Sequence, residues 1–143
     1  MTQIELDGQT IARVVDQPPL IFETGGGWTV TVESALTFSD ANGAVRHLEG
    51  DDPEAVAAMG PLLHGLTLRA SAVEDGSLRL TFTSGAELIA PPDPDYESWG
   101  LTGPAGQRLV CMPGGELAIW DAGSTSRRRA EGDAFSGEPR SRQ

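Results

Sequence analysis

Apolar and polar residues alternate in short runs along most of the chain. Residues 28–33 alternate cleanly and place Trp28, Val30 and Val32 on one face. Residues 77–82 do the same, with Leu78 and its alternate neighbours turned inward. This period of two is the pattern of half-buried β-strands, and it recurs from the amino terminus to Trp120.

Turn-forming residues separate these runs. The chain of 143 residues contains 18 Gly and 10 Pro spread along its length, a composition typical of many short elements. Pairs such as Asp7-Gly8 and Asp75-Gly76 stand between apolar runs, where they favour hairpin turns. We therefore expect a mainly β fold, an antiparallel meander sheet or a half-open barrel.

One segment departs from the alternation. Residues 51–59 begin with two aspartates, continue with Pro53 and are rich in alanine, which is the pattern of a capped helix start. Gly60-Pro61 follows and is expected to end the helix. The sequence predicts one short helix near residues 53–60.

Two parts of the sequence resemble each other. Residues 6–11 align with residues 63–68 at an offset of 57, and residues 20–25 align with residues 80–85 at an offset of 60. Chance similarity between two glycine-containing meanders is one explanation. We favour the other, two degenerate β-meander repeats with the helix inserted between them.

The composition changes after Trp120. Residues 122–143 contain one large apolar side chain, Phe135, and a run of three arginines at 127–129. Such a segment buries too little apolar surface to offset its ordering entropy. We predict a single β-rich domain over residues 1–121 and a disordered tail over residues 122–143.

Charge is distributed unevenly between these two parts. The whole chain has a net charge of −11, and all ten of its basic residues are arginine. Residues 1–123 hold 18 acidic residues and five arginines, whereas residues 124–143 hold three acidic residues and five arginines. An acidic body repels nucleic acid and anionic lipid and favours a basic partner. Solubility alone is the simpler explanation of the same charge.

The amino terminus lacks the basic and apolar regions of a signal peptide, and no apolar run approaches the roughly 20 residues of a membrane span. We therefore expect a cytoplasmic protein without membrane association.

Motifs of known catalytic chemistry are missing from the sequence. Cys111 is the only cysteine and lies in an apolar run, where it is expected to pack as a small hydrophobe. His47 and His64 stand outside any recognisable motif, and Gly25-Gly26-Gly27 has neither the lysine nor the helix of a phosphate-binding loop. We expect no enzymatic activity, no cofactor and no metal site.

The densest acidic loop carries the one candidate binding edge, formed by Asp93, Asp95, Tyr96 and Glu97. An aromatic residue rimmed by charge is typical of binding hot spots. The carboxylates also suit a hard cation, although an ordinary turn with solvated carboxylates is the commoner arrangement.

The next residues are expected to continue as a strand. Alternation would place Glu97 and Trp99 on one face and Tyr96 and Ser98 on the other, with Trp99 in the core. Glu97 would then accept a hydrogen bond from Arg108 across the following hairpin.

Three stretches together resemble a known family: Asp75-Gly76-x-Leu78-x-Leu80-x-Phe82-x-x-Gly85, Tyr96-Glu97-Ser98-Trp99, and Pro113-Gly114-Gly115-Glu116-Leu117-Ala118-Ile119-Trp120. They are similar to a family of small actinobacterial proteins classified as a domain of unknown function. The resemblance covers mainly residues 63–120, is weaker over 1–40 and excludes the tail. It implies a compact β-rich cytoplasmic domain and supplies no activity.

The leading hypothesis is a non-catalytic interaction protein whose acidic surface binds a basic protein. An immunity or regulatory role is suggested only by analogy with other small acidic bacterial proteins. The alternative is a small-ligand or metal-binding β domain with a pocket lined by Trp28, Tyr96 or Trp99. An enzyme of unrecognised type ranks below both.

Overall fold

The structure, a computed structural model, describes residues 6–120. These residues form eleven β-strands, one α-helix and a 3-10 turn at Pro113–Gly115. The first sheet has six strands in the order β1 (Ile11–Val14), β2 (Leu20–Thr24), β3 (Thr29–Val32), β9 (Trp99–Thr102), β10 (Arg108–Cys111), β11 (Leu117–Trp120). The second has five, in the order β5 (Val45–Glu49), β4 (Ala35–Ser39), β8 (Glu87–Ala90), β7 (Ser77–Phe82), β6 (Leu68–Glu74).

The predicted mainly β fold with one helix is confirmed. All strand pairs are antiparallel, as expected. The strands lie in two sheets rather than in one meander, and neither sheet closes into a barrel. Because sheets that are apolar on one face must bury that face, the two sheets share their interior.

The core is a single cluster of buried side chains, which come from alternate positions on the strands of both sheets. Phe22, Val30 and Trp99 enter it from the first sheet, and Phe38 and Leu80 enter it from the second. The predicted inward positions 78, 80 and 82 are all fully buried, while Arg79 between them is exposed. Period-two alternation therefore identified the buried face correctly.

The helix α1 (Pro53–Leu63) is longer than predicted. The Asp52 carboxylate accepts a hydrogen bond from the Glu54 amide at 3.1 Å, and proline occupies the first turn as expected. The prediction that Gly60-Pro61 ends the helix is wrong, because Pro61 lies inside it. Val56, Met59 and Leu63 on one face are buried in the core, so tertiary packing carries the helix past the proline.

An internal repeat organises the strands. The register Leu20↔Val32 to Glu23↔Thr29 between β2 and β3 recurs at an offset of 58 as Leu78↔Ala90 to Thr81↔Glu87 between β7 and β8. The pairing of β4 with β5 recurs at an offset of 63 between β9 and β10. Strands β1–β5 therefore correspond to β6–β10, and each copy contributes strands to both sheets.

The two copies meet at reciprocal backbone hydrogen bonds. Gly8 N donates to Leu68 O at 2.7 Å, and Gly65 N donates to Ile11 O at 2.9 Å. At the centre Thr10 pairs with Thr67, and their hydroxyl oxygens lie 2.9 Å apart. Since partners 57 residues apart exchange equivalent bonds, the two copies are related by an approximate two-fold axis through this bridge.

The predicted offset of 57 is thus correct for residues 6–11 and 63–68. The predicted offset of 60 for the next strand is wrong, because Leu20 corresponds to Leu78 and not to Leu80. Both leucines are buried two residues apart, and a period of two lets either one fit the sequence pattern.

The remaining predictions at the ends of the chain concern residues outside the described range. At the amino-terminal end of the predicted domain, residues 1–5 lie outside that range, and Leu6, the first residue inside it, is buried. The predicted disordered tail at 122–143 lies wholly beyond it.

Candidate functional site

Strand directions bring six connections to one end of the molecule. Strands β1, β3, β5, β6, β8 and β10 all run toward this end, because antiparallel partners alternate and the two-residue link between β3 and β4 crosses directly between the sheets. We call this end, where both links between the sheets cross, the crossover end. Its connections are residues 15–19, 33–34, 50–52, 75–76, 91–98 and 112–116.

Backbone contacts hold these connections together. Gly50 N donates to Ser34 O at 2.8 Å, and Gly50 O accepts from Leu20 N at 2.9 Å. Across the other copy, Gly114 N donates to Asp93 O at 2.7 Å. Glu33 N donates to Ser98 O at 2.8 Å and joins the two groups, so the connections form one continuous surface.

The crossover end gathers most of the acidic residues. Of the sixteen Asp and Glu residues between positions 6 and 120, twelve lie in these connections or at the adjoining ends of the elements. They are Asp16, Glu33, Glu49, Asp51, Asp52, Glu54, Glu74, Asp75, Asp93, Asp95, Glu97 and Glu116.

Arginines are absent from those connections. All five arginines of residues 6–120 lie within strands. Two of them form the ion pairs of the described residues, Arg13 with Glu23 at 2.9 Å and Arg79 with Glu87 at 3.6 Å, and neither carboxylate belongs to the crossover end. The connections of the crossover end consequently contain no arginine, although Arg13 lies one residue before the end of β1 and so approaches them.

The candidate binding edge, formed by Asp93, Asp95, Tyr96 and Glu97, lies on this end. The Asp93 carboxylate accepts hydrogen bonds from Asp95 N at 2.8 Å and Tyr96 N at 3.1 Å, which closes a turn. Tyr96 projects from that turn with 70% of its surface exposed, the most exposed large apolar side chain of the described residues. The turn therefore presents an aromatic ring between the carboxylates of Asp95 and Glu97, both of them exposed.

Residues 96–98 do not form the predicted strand. Strand β9 begins at Trp99, and Ser98 is buried whereas Tyr96 is exposed, so the two do not share a face. Ser98 turns inward because its hydroxyl donates to Pro91 O and its amide donates to Cys111 O at 3.1 Å. The segment is a loop fixed by polar contacts that alternation cannot reveal.

Trp99 anchors this loop, and its predicted place in the core is confirmed. Its indole Nε1 donates to Gly76 O, in the β6–β7 turn, at 2.9 Å. A Cβ placed on Gly76 would lie 3.0 Å from Gly115 Cα and 3.3 Å from Pro92 Cβ. Three connections of the crossover end thus pack closely around Gly76.

Glu33 and Glu97 line a shallow depression of about 90 Å³ on the outer face of the first sheet. Partial burial raises the pKa of Glu33, and the neighbouring Glu97 carboxylate raises that pKa further. Thr31, Trp99 and Val110 also line the depression. Arg108 lines the same depression, and the repulsion between the two carboxylates favours a positively charged group near them.

The predicted hydrogen bond from Arg108 to Glu97 is not found. Both side chains line the depression, but the Arg108 guanidinium lies over the Trp120 ring, 5.1 Å from its centroid. Because Trp120 is the direct partner of Arg108 in the β10–β11 register, the ring is the nearer contact.

Groups that serve nucleophilic or metal chemistry are dispersed in the described residues. Cys111 is fully buried, its thiol contacts Gly76 O at 3.3 Å, and burial raises the pKa of that thiol. His47 Nδ1 lies 3.3 Å from the Thr37 hydroxyl, and His64 lies after the end of α1. Within residues 6–120 no three His, Cys, Asp or Glu side chains are grouped to hold a metal ion.

Residues 25–27 lie in the hairpin connection 25–28 between β2 and β3, as the sequence indicated, and Gly27 has a φ of 92°. Over the described part of the chain, no helix has the length and apolar character needed to cross a membrane.

The chain matches the model of DUF6188, a family of unknown function, over residues 2–121. It belongs to this family. The match covers the first copy as fully as the second, and so extends further than the resemblance noted for residues 63–120. No curated protein and no solved structure matches the chain.

The sequence had indicated four residues of the crossover end as a binding edge, three of them carboxylates, and the other nine carboxylates were not connected with it. Those nine residues belong to five separate connections, which are far apart in the chain. The internal repeat is the sequence signal that could have indicated this grouping, because equivalent connections of the two copies reach the same end of the molecule.

Proposed function

We propose that this protein is a non-catalytic interaction protein that binds a basic protein partner through its crossover end. The observation that carries the proposal is the segregation of twelve carboxylates to one end, whose connections contain no arginine. A charge needed only for solubility has no reason to collect on one surface, whereas a binding surface does.

The candidate binding edge supplies the specific contact in this proposal. The turn fixes the backbone of Tyr96, and its ring, 70% exposed, offers a large contact area at the cost of only two side-chain torsions when a partner covers it. Beside it, the Glu33–Glu97 depression suits a lysine or arginine side chain of the partner. Its cation would offset the repulsion between the two carboxylates, and its aliphatic part would contact Val110.

The role of such a protein is proposed as immunity-like or regulatory, and its location as cytoplasmic. Support for this part is indirect: the acidic surface and the family of unknown function are compatible with it. A small-ligand domain is less well supported, because the depression of about 90 Å³ is well below the roughly 300 Å³ of typical ligand pockets, and neither Trp28 nor Tyr96 lines it.

The test starts with affinity capture from the native host, using the full chain at low and high salt, followed by mass spectrometry. We expect a basic protein that is retained at about 50 mM salt and released at about 500 mM, because charges on a protein surface are screened over that range. Its affinity is then measured by titration calorimetry against substituted chains.

Asp95→Asn and Tyr96→Ala are expected to weaken binding, the first about three- to tenfold and the second about tenfold or more. Asp7→Asn is the matched control, because it removes the same charge from an exposed residue on the bridge between the copies, at the opposite end. Equal effects of Asp95→Asn and Asp7→Asn, or capture that ignores salt, would contradict a binding surface at the crossover end.

A further inference from the structure

The two sheets have four edge strands, and three of them are protected. Strands β1 and β6 begin at the Thr10–Thr67 bridge and hydrogen-bond to the opposite copy there. Ile11 N donates to Leu66 O at 2.8 Å, and Leu68 N donates to Gln9 O at 2.8 Å. The edge strand β5 carries Arg46, His47 and Glu49. Charged side chains and local irregularity are the usual means of preventing strand pairing at an edge.

The fourth edge strand, β11, has none of these features within the described residues. Its sequence Leu-Ala-Ile-Trp is uncharged, and it pairs with β10 without a register shift. Ile119 and Trp120 are 53% and 43% exposed, and they are two of the four exposed large apolar residues of the described chain. An uncharged, apolar and regular edge is a template for another strand.

The backbone groups that β11 turns outward can be assigned. Met112 N donates to Glu116 O at 2.7 Å, so residue 116 faces β10. Since facing alternates along an antiparallel strand, Ala118 and Trp120 also bond to β10, and the amide and carbonyl of Leu117 and Ile119 point away from the sheet.

We propose that β11 pairs with β11 of a second copy of this chain, forming a homodimer with one continuous sheet across both copies. Antiparallel pairing centred on Ala118 places Leu117 of each copy opposite Ile119 of the other and makes four backbone hydrogen bonds. Ala118 faces its own equivalent at the centre, where a closely spaced pair favours a small side chain. The exposed part of Ile119 is then covered by leucine.

Complementary charges also favour a second copy of the chain, in this orientation, as the partner of β11. In the same register Trp120 lies opposite Glu116 of the other copy, and Arg108 lies over the Trp120 ring at 5.1 Å. Arg108 forms neither of the two ion pairs of the described residues, and Glu116 is exposed. The dimer therefore brings each Arg108 near one Glu116 carboxylate of the other copy, and this contact occurs twice in the dimer.

Repulsion between the acidic bodies is reduced by the same geometry. Strand β11 runs away from the crossover end, so antiparallel pairing directs the two crossover ends in opposite directions. A four-residue strand contact buries less than a standard interface. We accordingly expect a dissociation constant of about 10 µM rather than a permanent dimer.

Sedimentation-velocity ultracentrifugation of the full chain from about 1 µM to about 300 µM tests the proposal, since this range spans the expected constant. The expected result is a shift from the monomer mass toward twice that mass. A chain that stays monomeric throughout overturns the proposal, whether the edge is free, is covered by residues 121–143 or receives a strand of a different protein.

Ile119→Pro identifies the surface, because it removes an outward amide without breaking a bond to β10. It should lower the association constant at least tenfold. Val45→Pro is the matched control: Val45 is 54% exposed, lies on the β5 edge and also turns its amide outward, because Asp40 N bonds Ala44 O at the preceding position. Equal effects of the two prolines, or none from Ile119→Pro, overturn the assignment to β11.

A charge exchange provides a second test that does not depend on proline. Arg108→Glu alone and Glu116→Arg alone should each weaken the dimer, and the double variant should recover most of the association. Recovery requires the two residues to meet across the interface. Additive weakening in the double variant would overturn the proposed register.

Discussion

The pKa of Glu33 depends on a neighbour that only the tertiary structure brings close. It follows β3 directly and lies beside Glu97, a residue 64 positions later, only because the two links between the sheets cross at the same end. Burial and Glu97 raise its pKa above the ordinary value of 4.5. A raised carboxyl pKa means that the fold disfavours the ionised form of Glu33 relative to the unfolded chain.

Replacing Glu33 with Gln should therefore stabilise the protein at neutral pH. The wild-type chain loses stability as pH rises from the unfolded-state pKa through the higher folded-state pKa, so the advantage of Gln is full at pH 7.5 and absent near pH 4. Urea unfolding followed by tryptophan fluorescence at both pH values measures the difference. Asp7→Asn controls for the general removal of one negative charge, and a Gln variant with no pH-dependent gain would contradict the raised pKa.

Residue-scale predictions from the sequence succeeded where burial follows alternation. Trp99 and Cys111 were expected in the core and are fully buried. The hydrogen bond from Arg108 to Glu97 was wrong, since its geometry depends on the exact start of β9. Side-chain pairing is sensitive to a shift of one residue, whereas burial of a large apolar residue tolerates it.

At the scale of elements, two glycines near the helix look alike in the sequence but have different surroundings in the fold. Gly50 joins β5 to α1, and a Cβ added there would overlap the Val32 carbonyl oxygen and lie 2.7 Å from the Val32 carbonyl carbon. Gly60 lies inside α1, where an added Cβ would meet nothing within 4 Å. The first glycine is required by close packing between elements, and the second is not.

Alanine at these two positions should accordingly have opposite effects. Gly50→Ala must displace backbone and is expected to lower the free energy of unfolding by about 3 kcal/mol. Gly60→Ala raises helix propensity and should increase that free energy by about 1 kcal/mol. Chemical denaturation of both variants compares them directly, and a harmless Gly50→Ala would show that the β5–α1 connection can move away from β3.

Helix α1 illustrates the limit of local rules for elements. Its start was predictable from Asp52 and Pro53, since capping is a contact between neighbours in sequence. Its end was not, because burial of Leu63 in a core built by distant strands extends the helix through Pro61.

At the scale of the whole molecule, the two copies are interleaved rather than placed side by side. Strand β3 of the first copy pairs with β9 of the second, and β4 pairs with β8 in the same way. Neither copy contains a complete sheet, so each must take its edge partners from the other.

A chain divided between Asp51 and Asp52 should test this interdependence, because both residues are exposed and lie between β5 and α1. Each fragment alone is expected to be unfolded by circular dichroism and amide NMR dispersion. Mixing them should restore β structure with a concentration-dependent melting temperature. A fragment that folds alone would show that one copy is self-sufficient.

The sequence by itself determined the mainly β class, the buried face of most strands, the start of the helix and the acidity of the chain, because these depend on composition and on neighbours in sequence. It also indicated a repeat, although the second offset needed correction. Tertiary structure decided the partition into two sheets and the gathering of twelve carboxylates at one end. Both depend on which distant strands pair, and alternation with a period of two leaves that choice open.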